Sequence, residues 1–183
     1  MRAVARILIV GGGCRGRRLA TQMVQQGHAL RVTTRSDAGR AAIEATGAEC
    51  WIGTPDRLAT LRGALDNVTV ACWMLAGASG DRQEVAALHA SRLRFFLSQA
   101  IDTTVRGLIY DAWPSGVDSV WAETLASGQR IFESLTQLNA IPAVVLAAGA
   151  ERAAVTGAGD GEDERWVGAA SRAVDLLLGL SAG

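Results

Sequence analysis

A group of glycines between an apolar segment and a helical segment constrains the fold of this chain more than any other feature. The apolar residues 7–10 lead into Gly11, Gly13 and Gly16, and residues 17–26 have the pattern of a helix. The spacing G-x-G-x-x-G is weak evidence by itself, but between a strand and a helix it is the fingerprint of dinucleotide binding. The alternative is a glycine-rich turn that binds nothing.

Each glycine of this fingerprint has its own physical function. The first permits the tight turn, the second lets a diphosphate approach the backbone, and the third lets the helix pack closely on the strand. The free N–H groups at the start of the helix then face the phosphates. The residues expected to form this cofactor-binding loop are Gly11, Gly12, Gly13, Cys14, Arg15 and Gly16.

The rest of the chain continues to alternate between strand and helix patterns. Further strands are predicted at residues 29–33, 48–52, 68–75, 105–110 and 143–147. Helices are predicted at residues 38–46, 56–65, 81–102, 118–139 and 165–180, with a possible break in the fourth at Gly128. The last helix closes the fold after a mobile, acidic loop at 149–164. Six strands alternating with helices predict one α/β domain over residues 1–183, a doubly wound six-stranded parallel sheet (Rossmann fold) with strand order 3-2-1-4-5-6.

Composition argues against several classes of function. The formal net charge is +0, which gives no reason to expect binding to nucleic acid or to a membrane surface. No apolar run is long enough to cross a bilayer, and the first strand is too short for a signal peptide, so the expected location is the cytoplasm. The scattered Cys14, Cys50 and Cys72 argue against a disulfide framework and against a metal site.

The loops after the strands indicate where a ligand would bind. In a doubly wound sheet, ligands lie beyond the carboxyl ends of the strands, near the switch between strands 1 and 4. The further cofactor-binding residues expected from this rule are Thr34, Arg35, Ser36, Thr54, Ala76 and Gly77.

The end of the second strand favours NADP over NAD. An NAD site carries Asp or Glu there to accept hydrogen bonds from the ribose, whereas this strand ends in Thr34-Arg35-Ser36 and Asp37 lies beyond the turn. A guanidinium forms charge-assisted bonds with the 2′-phosphate of NADP, and Arg15 could reach the same phosphate from the glycine turn. The alternative is that both arginines are solvated surface charges.

These features also give the chain a family resemblance. The glycine loop, Thr34-Arg35-Ser36, the Ala76-Gly77-Ala78-Ser79 turn and the order of elements resemble the atypical and extended short-chain dehydrogenase/reductase superfamily, especially its NmrA-like and epimerase-like branches. The resemblance implies a nicotinamide cofactor, with the adenosine over strands 2 and 3 and the nicotinamide near strands 4 and 5.

The resemblance does not extend to catalysis. That superfamily uses a tyrosine followed four residues later by a lysine, on the helix after strand 5, and the lysine lowers the pKa of the tyrosine. This chain contains no lysine, its only tyrosine is Tyr110 at the end of strand 5, and the extra substrate-binding lobe of extended members is missing. The standard mechanism therefore cannot operate.

Two functions from different classes remain open. One is a small NADP-dependent oxidoreductase in which Tyr110 or Asp111 is a non-standard proton donor. The alternative for these two residues is a structural role, with Tyr110 as a half-buried strand residue and Asp111 as a turn former. The other is a non-catalytic NADP-binding regulator or redox sensor, or an interaction module. A homodimer is expected through the helices at 81–102 and 118–139, because Phe95 and Phe96 put aromatic surface on two sides of the first helix.

Overall fold

The computed structural model describes residues 4–114, 119–148 and 161–181, which form an α/β domain around one parallel sheet. The strand order is β3-β2-β1-β4-β5-β6, and this confirms the predicted fold class and the predicted order. The strands are β1 (Arg6–Val10), β2 (Ala29–Thr34), β3 (Glu49–Ile52), β4 (Val70–Trp73), β5 (Gly107–Asp111) and β6 (Ala143–Leu146).

Helices cover both faces of the sheet, which explains why the central strands are continuously apolar. Ile7 and Ile9 of β1 face α1 (Cys14–Gln25), α2 (Arg40–Glu44) and α6 (Glu162–Ser181) in one buried cluster. Leu8 and Val10 face the opposite cluster, formed with α4 (Ser91–Ile101) and α5 (Ser119–Leu138). No helix within the described ranges is long and apolar enough to cross a membrane.

Two of the predicted helices are interrupted. The segment predicted as one helix at 81–102 consists of α3 (Arg82–Leu88) and α4, because Ala90 has φ −127° and ψ −98°, which no helix accommodates. The segment at 56–65 forms two short 3-10 turns, Leu58–Leu61 and Gly63–Leu65. Both interrupted segments contribute residues to the buried cluster on the α4 and α5 side of the sheet.

The possible break at Gly128 is absent, since α5 runs continuously through it. A Cβ at Gly128 would overlap the hydroxyl of Tyr110 and would lie 2.9 Å from the carbonyl oxygen of His89. The glycine therefore makes room for a buried tyrosine rather than ending the helix.

The closing helix starts earlier than predicted. It begins at Glu162 rather than at 165, so residues 162–164, which were predicted as loop, form its first turn. Acidic side chains are favoured at a helix N-terminus because they interact with the positive end of the helix dipole. The remainder of the predicted mobile loop, at 149–160, lies outside the described residues.

Candidate functional site

A cavity of about 620 Å³ opens at the carboxyl end of the sheet, where the connections from β1 and β4 leave in opposite directions. Its walls come from the loops after β1, β3 and β4, from the ends of β2 and β5, and from the first turn of α6. This is the switch point at which doubly wound folds bind their ligands.

The structure brings most of the predicted cofactor-binding residues together around this cavity. Those that line it are Gly11, Gly12, Gly13, Cys14, Arg15, Gly16, Thr34, Arg35 and Gly77. Ser36, Thr54 and Ala76 are not among the lining residues. Thr54 turns into its own loop, where its backbone N–H donates to the Thr60 hydroxyl (2.9 Å) and its hydroxyl donates to the Asp56 carboxylate (3.1 Å).

Several lining residues were missed by the sequence reasoning. They are Thr33, Pro55, Met74, Leu75, Leu88 and Asp163. The Thr33 hydroxyl accepts a hydrogen bond from the backbone N–H of Gly11 at 3.2 Å, which ties the end of β2 to the glycine loop. Thr33 and Leu75 could have been found by extending each predicted loop by one residue into the strand that precedes it. Asp163 had no such signal, because its place depends on how α6 packs.

The three fingerprint glycines have different surroundings. Gly11 has φ +120°, and a Cβ there would overlap the carbonyl oxygen of Met74. A Cβ at Gly16 would overlap the carbonyl oxygen of Gly11. At Gly13, by contrast, a Cβ would meet no atom of a described residue within 4 Å. Folding therefore requires glycine at the first and third positions, whereas Gly13 leaves open space within the cavity.

The start of α1 faces this open space. Gly13 is the N-cap of α1 and provides no side-chain cap, and the first turn contains no acidic residue. The first N–H groups of a helix lack partners inside the helix, and together with the helix dipole they form a binding site for an anion.

Arg15 contacts the end of the cavity that is farthest from β2. Its Nε donates to Asp163 Oδ1 at 3.0 Å, and its Nη2 donates to Glu162 Oε1 at 3.2 Å. Its Nη1 donates to the carbonyl oxygen of Trp113 at 3.1 Å, and its guanidinium carbon lies 5.7 Å from the ring centroid of Trp166. These partners follow β5 or begin α6, three strands away from β2. The expectation that Arg15 reaches a phosphate at the end of β2 is therefore corrected.

Arg35 lies where the sequence predicts it. It is exposed, it lines the cavity, and its guanidinium makes no hydrogen bond or ion pair with the described part of the chain. The nearest acid in sequence, Asp37, pairs with Arg40 Nε at 2.6 Å, and Arg40 also contacts Glu44 at 3.3 Å. The end of β2 thus presents a guanidinium whose neighbouring carboxylates are already paired.

The Tyr110 side chain is buried in the core cluster beneath α4 and α5 and does not reach the cavity. Its hydroxyl is 2.7 Å from His89 Nδ1 and donates to the carbonyl oxygen of Leu125 at 3.4 Å. Burial raises the pKa of Tyr110 and lowers the pKa of His89 to about 4, although a hydrogen bond to the Leu75 carbonyl partly offsets the shift of the histidine. Tyr110 is fully buried and does not line the cavity, so the expectation that it donates a proton there is corrected.

Asp111 does line the cavity, although its side chain is almost entirely buried. Its Oδ1 accepts hydrogen bonds from the backbone N–H of Trp113 and from Trp166 Nε1, both at 3.0 Å. Burial raises the pKa of Asp111 from 3.8 to about 6, against the lowering effect of these two hydrogen bonds and of Arg15. The cavity therefore has, at the end of β5, a carboxyl group that titrates near neutral pH.

Within the described ranges, no group of three or more His, Cys, Asp or Glu side chains is arranged to hold a metal ion. The polar groups that line the cavity include glycine-loop N–H groups, hydroxyls, the Arg35 guanidinium, which has no ion pair with described residues, the Arg15–Asp163 ion pair and the Asp111 carboxyl. Such a set can bind an anion at the glycine loop and at the end of β2, and can exchange a proton at the end of β5.

No protein-family model and no curated protein sequence matches this chain. Its fold is similar to that of BdcA from E. coli, with a TM-score of 0.68 and 14% sequence identity, over 93% of this chain and 90% of that one. It is also similar to UDP-glucuronic acid 4-epimerase from Bacillus cereus in complex with NAD (TM-score 0.64, 16% identity, 78% of this chain and 55% of that one). A third similar structure is triphenylmethane reductase from Citrobacter sp. complexed with NADP(H) (TM-score 0.58, 16% identity, 77% and 48%).

The chain spans about half the length of the epimerase and of the reductase, and nearly the whole length of BdcA. Sequence identities at this level show a shared fold.

Proposed function

We propose that this chain is an NAD(P)-binding Rossmann-fold protein that prefers NADP and is related to the short-chain dehydrogenases/reductases, without their tyrosine–lysine catalytic pair. One observation carries the proposal: the second fingerprint glycine faces open space in the cavity, while the first and third are fixed by contacts of the fold itself. A turn that only joined a strand to a helix would not need glycine at Gly13, whose φ of −67° is open to any residue.

The residues around the cavity fit a nicotinamide dinucleotide. Gly13 and the first turn of α1 would hold the diphosphate, Thr34 and Gly53 would border the adenosine, and Gly77 with Ser79 would border the nicotinamide end. When bound, such a cofactor supplies a hydride donor or acceptor.

The preference for NADP is supported by the charges at the end of β2. No acid occupies the strand end itself, Asp37 is paired with Arg40, and Arg35 has no counter-ion in the described part of the chain. An unpaired guanidinium favours the additional phosphate of NADP, whereas an acid would repel it.

The experiment is a calorimetric titration of the chain with NADPH and with NADH, repeated on Gly13→Val. We expect tighter binding of NADPH than of NADH, and a loss of binding in the variant because its side chain fills the space left for the diphosphate. Thermal unfolding should show that Gly13→Val still folds, since the site accepts a Cβ.

Gly179→Val is the matched control, because Gly179 also has open space around a Cβ but lies on α6 away from the cavity. It should bind NADPH as the unaltered chain does. No heat with either nucleotide, tighter NADH binding, or unchanged binding by Gly13→Val would each contradict the proposal.

An NADP-dependent oxidoreductase is a second candidate, and the observation that favours it is the Asp111 carboxyl in the cavity wall. With its pKa raised to about 6 by burial, Asp111 can hold a proton at a carboxyl oxygen and release it close to neutral pH. A screen for oxidation of NADPH by carbonyl compounds tests this candidate. Turnover that Asp111→Asn abolishes while NADPH still binds would support it, and NADPH binding without turnover would favour a regulator or redox sensor instead.

A homodimer through α4 and α5 is the proposed assembly. Phe95 on α4 is 47% exposed, whereas its neighbour Phe96 is 2% exposed and packs into the core. Light scattering should report a dimer, and a monomer would remove this proposal.

A further inference from the structure

We infer that the β5 end of the cavity binds an organic cation, a protonated amine on a small apolar body, with Asp111 Oδ2 as its counter-ion. The amine would be a second ligand of the cavity beside the proposed dinucleotide, and in this sense the inference rests on the proposed function. The amine site uses neither Gly13 nor Arg35, so its binding can be measured without any nucleotide.

The carboxyl group of Asp111 has one oxygen that the fold does not use. Oδ1 accepts hydrogen bonds from the backbone N–H of Trp113 and from Trp166 Nε1. Oδ2 accepts none from a described residue, although Asp111 is only 2% exposed. Oδ2 is also not among the unpaired polar atoms that the described residues enclose, so the small exposure of Asp111 is towards the cavity that it lines. A buried carboxyl oxygen with unused acceptor capacity therefore faces the ligand space.

The charges around Asp111 leave it without a counter-ion. The guanidinium of Arg15 acts on it only through space, because each of its three nitrogens donates to another group. The acceptors are the carboxylates of Glu162 and Asp163 and the carbonyl oxygen of Trp113. Arg18 adds a contact to Asp163 at 3.6 Å. With Asp111 ionised, three carboxylates therefore share two guanidinium groups, and a bound cation would offset the cost of the third carboxylate.

The cavity wall beside Asp111 is apolar. Met74 and Asp111 are neighbours at the ends of β4 and β5, because the residues before them are paired in register. Met74 packs in the same buried cluster as Trp166, whose indole donates to Asp111. Leu75 and Leu88 also line the cavity. A single carboxyl oxygen in an apolar wall suits an ammonium group carried on a hydrocarbon body.

A metal ion fits this end of the cavity less well than an amine. In the part of the chain that the structure describes, no three His, Cys, Asp or Glu side chains are grouped to hold a metal. Divalent cations such as Ca²⁺ require several oxygen ligands, whereas an ammonium group needs one acceptor for a charge-assisted hydrogen bond. The free oxygen of Asp111 therefore favours the organic cation.

The test uses benzylamine, benzyl alcohol and benzoate, which have similar bodies and differ in charge. Each is titrated into the chain without nucleotide, and binding is followed by the ¹H–¹⁵N signal of the Trp166 indole, which donates to Asp111. We expect benzylamine to shift this signal and to bind about tenfold or more tightly than benzyl alcohol, with benzoate the weakest. Binding of benzyl alcohol or benzoate as tight as that of benzylamine would overturn the inference.

Asp111→Asn should bind benzylamine about tenfold or more weakly and benzyl alcohol as before. Glu162→Gln is the matched control, because it removes the same charge near this end from a residue that does not line the cavity and is already paired with Arg15. It should keep the affinity for benzylamine within about twofold. Equal losses in the two variants would refute the specific role of Asp111.

The pH dependence of binding tests the inference even if Asp111→Asn fails to fold. Burial raises the pKa of Asp111 to about 6, whereas benzylamine stays protonated up to about pH 8. The affinity of the unaltered chain for benzylamine should therefore fall about tenfold from about pH 7.5 to about pH 5, while that for benzyl alcohol stays constant. An affinity for benzylamine that does not change with pH would overturn the inference.

The other charged and titratable groups around Asp111 are the same in Asp111→Asn, which should show no such pH dependence. On β4, burial raises the pKa of the Cys72 thiol to about 12, so it stays protonated over this range. The groups on α1 and α6 are Arg15, Arg18, Glu162 and Asp163.

A benzylamine titration in saturating NADPH separates the inference from the proposed function. Retained binding of benzylamine would support a second ligand, and displacement by NADPH would overturn it. If NADPH binds and benzylamine does not, the inference fails while the proposed function stands. If benzylamine binds through Asp111 and no nucleotide binds, the proposed function fails while the cation site stands.

Discussion

Replacing Asp111 by asparagine should change the pH dependence of stability in a defined way. The substitution removes a buried ionisable group and keeps the size of the side chain. The amide oxygen of asparagine can still accept the bonds that Oδ1 receives from Trp113 N–H and Trp166 Nε1. The main difference between the two proteins is therefore the charge.

The magnitude follows from the pKa of Asp111, which folding raises from 3.8 to about 6. Between these values the folded protein holds a proton that the unfolded chain has lost, so the free energy of unfolding falls as the pH rises. Well below pH 3.8 the carboxyl is neutral in both states, and well above pH 6 it is ionised in both. The shift corresponds to a loss of about 3 kcal/mol across this interval.

The assay is urea unfolding of both proteins at a series of pH values from about 3 to about 8. All other titrating groups are shared, so they cancel in the difference between the two free energies of unfolding. We expect that difference to move by about 3 kcal/mol in favour of Asp111→Asn as the pH rises, and to be constant above about pH 7. A difference that does not depend on pH would refute the conclusion that burial raises the pKa of this carboxyl.

Two further substitutions test packing. Gly128→Ala should destabilise the fold by about 1–3 kcal/mol, because the added Cβ overlaps the Tyr110 hydroxyl. Adding Tyr110→Phe should recover part of this loss of stability. An unchanged melting temperature of Gly128→Ala would contradict this packing. Arg15→Gln should increase amide hydrogen exchange in the first turns of α6, because it removes three hydrogen bonds between the glycine loop and the residues around Trp113 and Asp163. Arg18→Gln removes only a longer, exposed ion pair to Asp163 (3.6 Å) and should increase the exchange much less; equal exchange in both variants would contradict the role of Arg15.

The glycine loop and the strand order could be predicted because their signals are local. The apolar residues of β1, the spacing of Gly11, Gly13 and Gly16, and the regular alternation of elements need no knowledge of distant contacts. Right-handed crossovers and the switch point then leave one arrangement of the sheet.

The partners of the arginines could not be predicted in the same way. Arg15 bonds to Asp163, which lies 148 residues away in sequence, and only the packing of α6 against α1 brings them together.

The sequence contained a signal that distinguishes the two candidate proton donors at the end of β5. Adjacent residues of a strand point to opposite faces of the sheet, so Tyr110 and Asp111 cannot both face the same cluster. The structure places Tyr110 in the cluster with Phe132, and it places Asp111 against Trp166 on the other face. The strand pattern does not specify which of the two faces borders the cavity, because that depends on how the helices pack.

The most direct test of the account is a crystal structure of this chain with NADPH. We expect the diphosphate beside Gly13 at the start of α1, and the 2′-phosphate in contact with the guanidinium group of Arg35. A nucleotide bound away from the carboxyl end of the sheet, or a 2′-phosphate without contact to Arg35, would contradict this expectation.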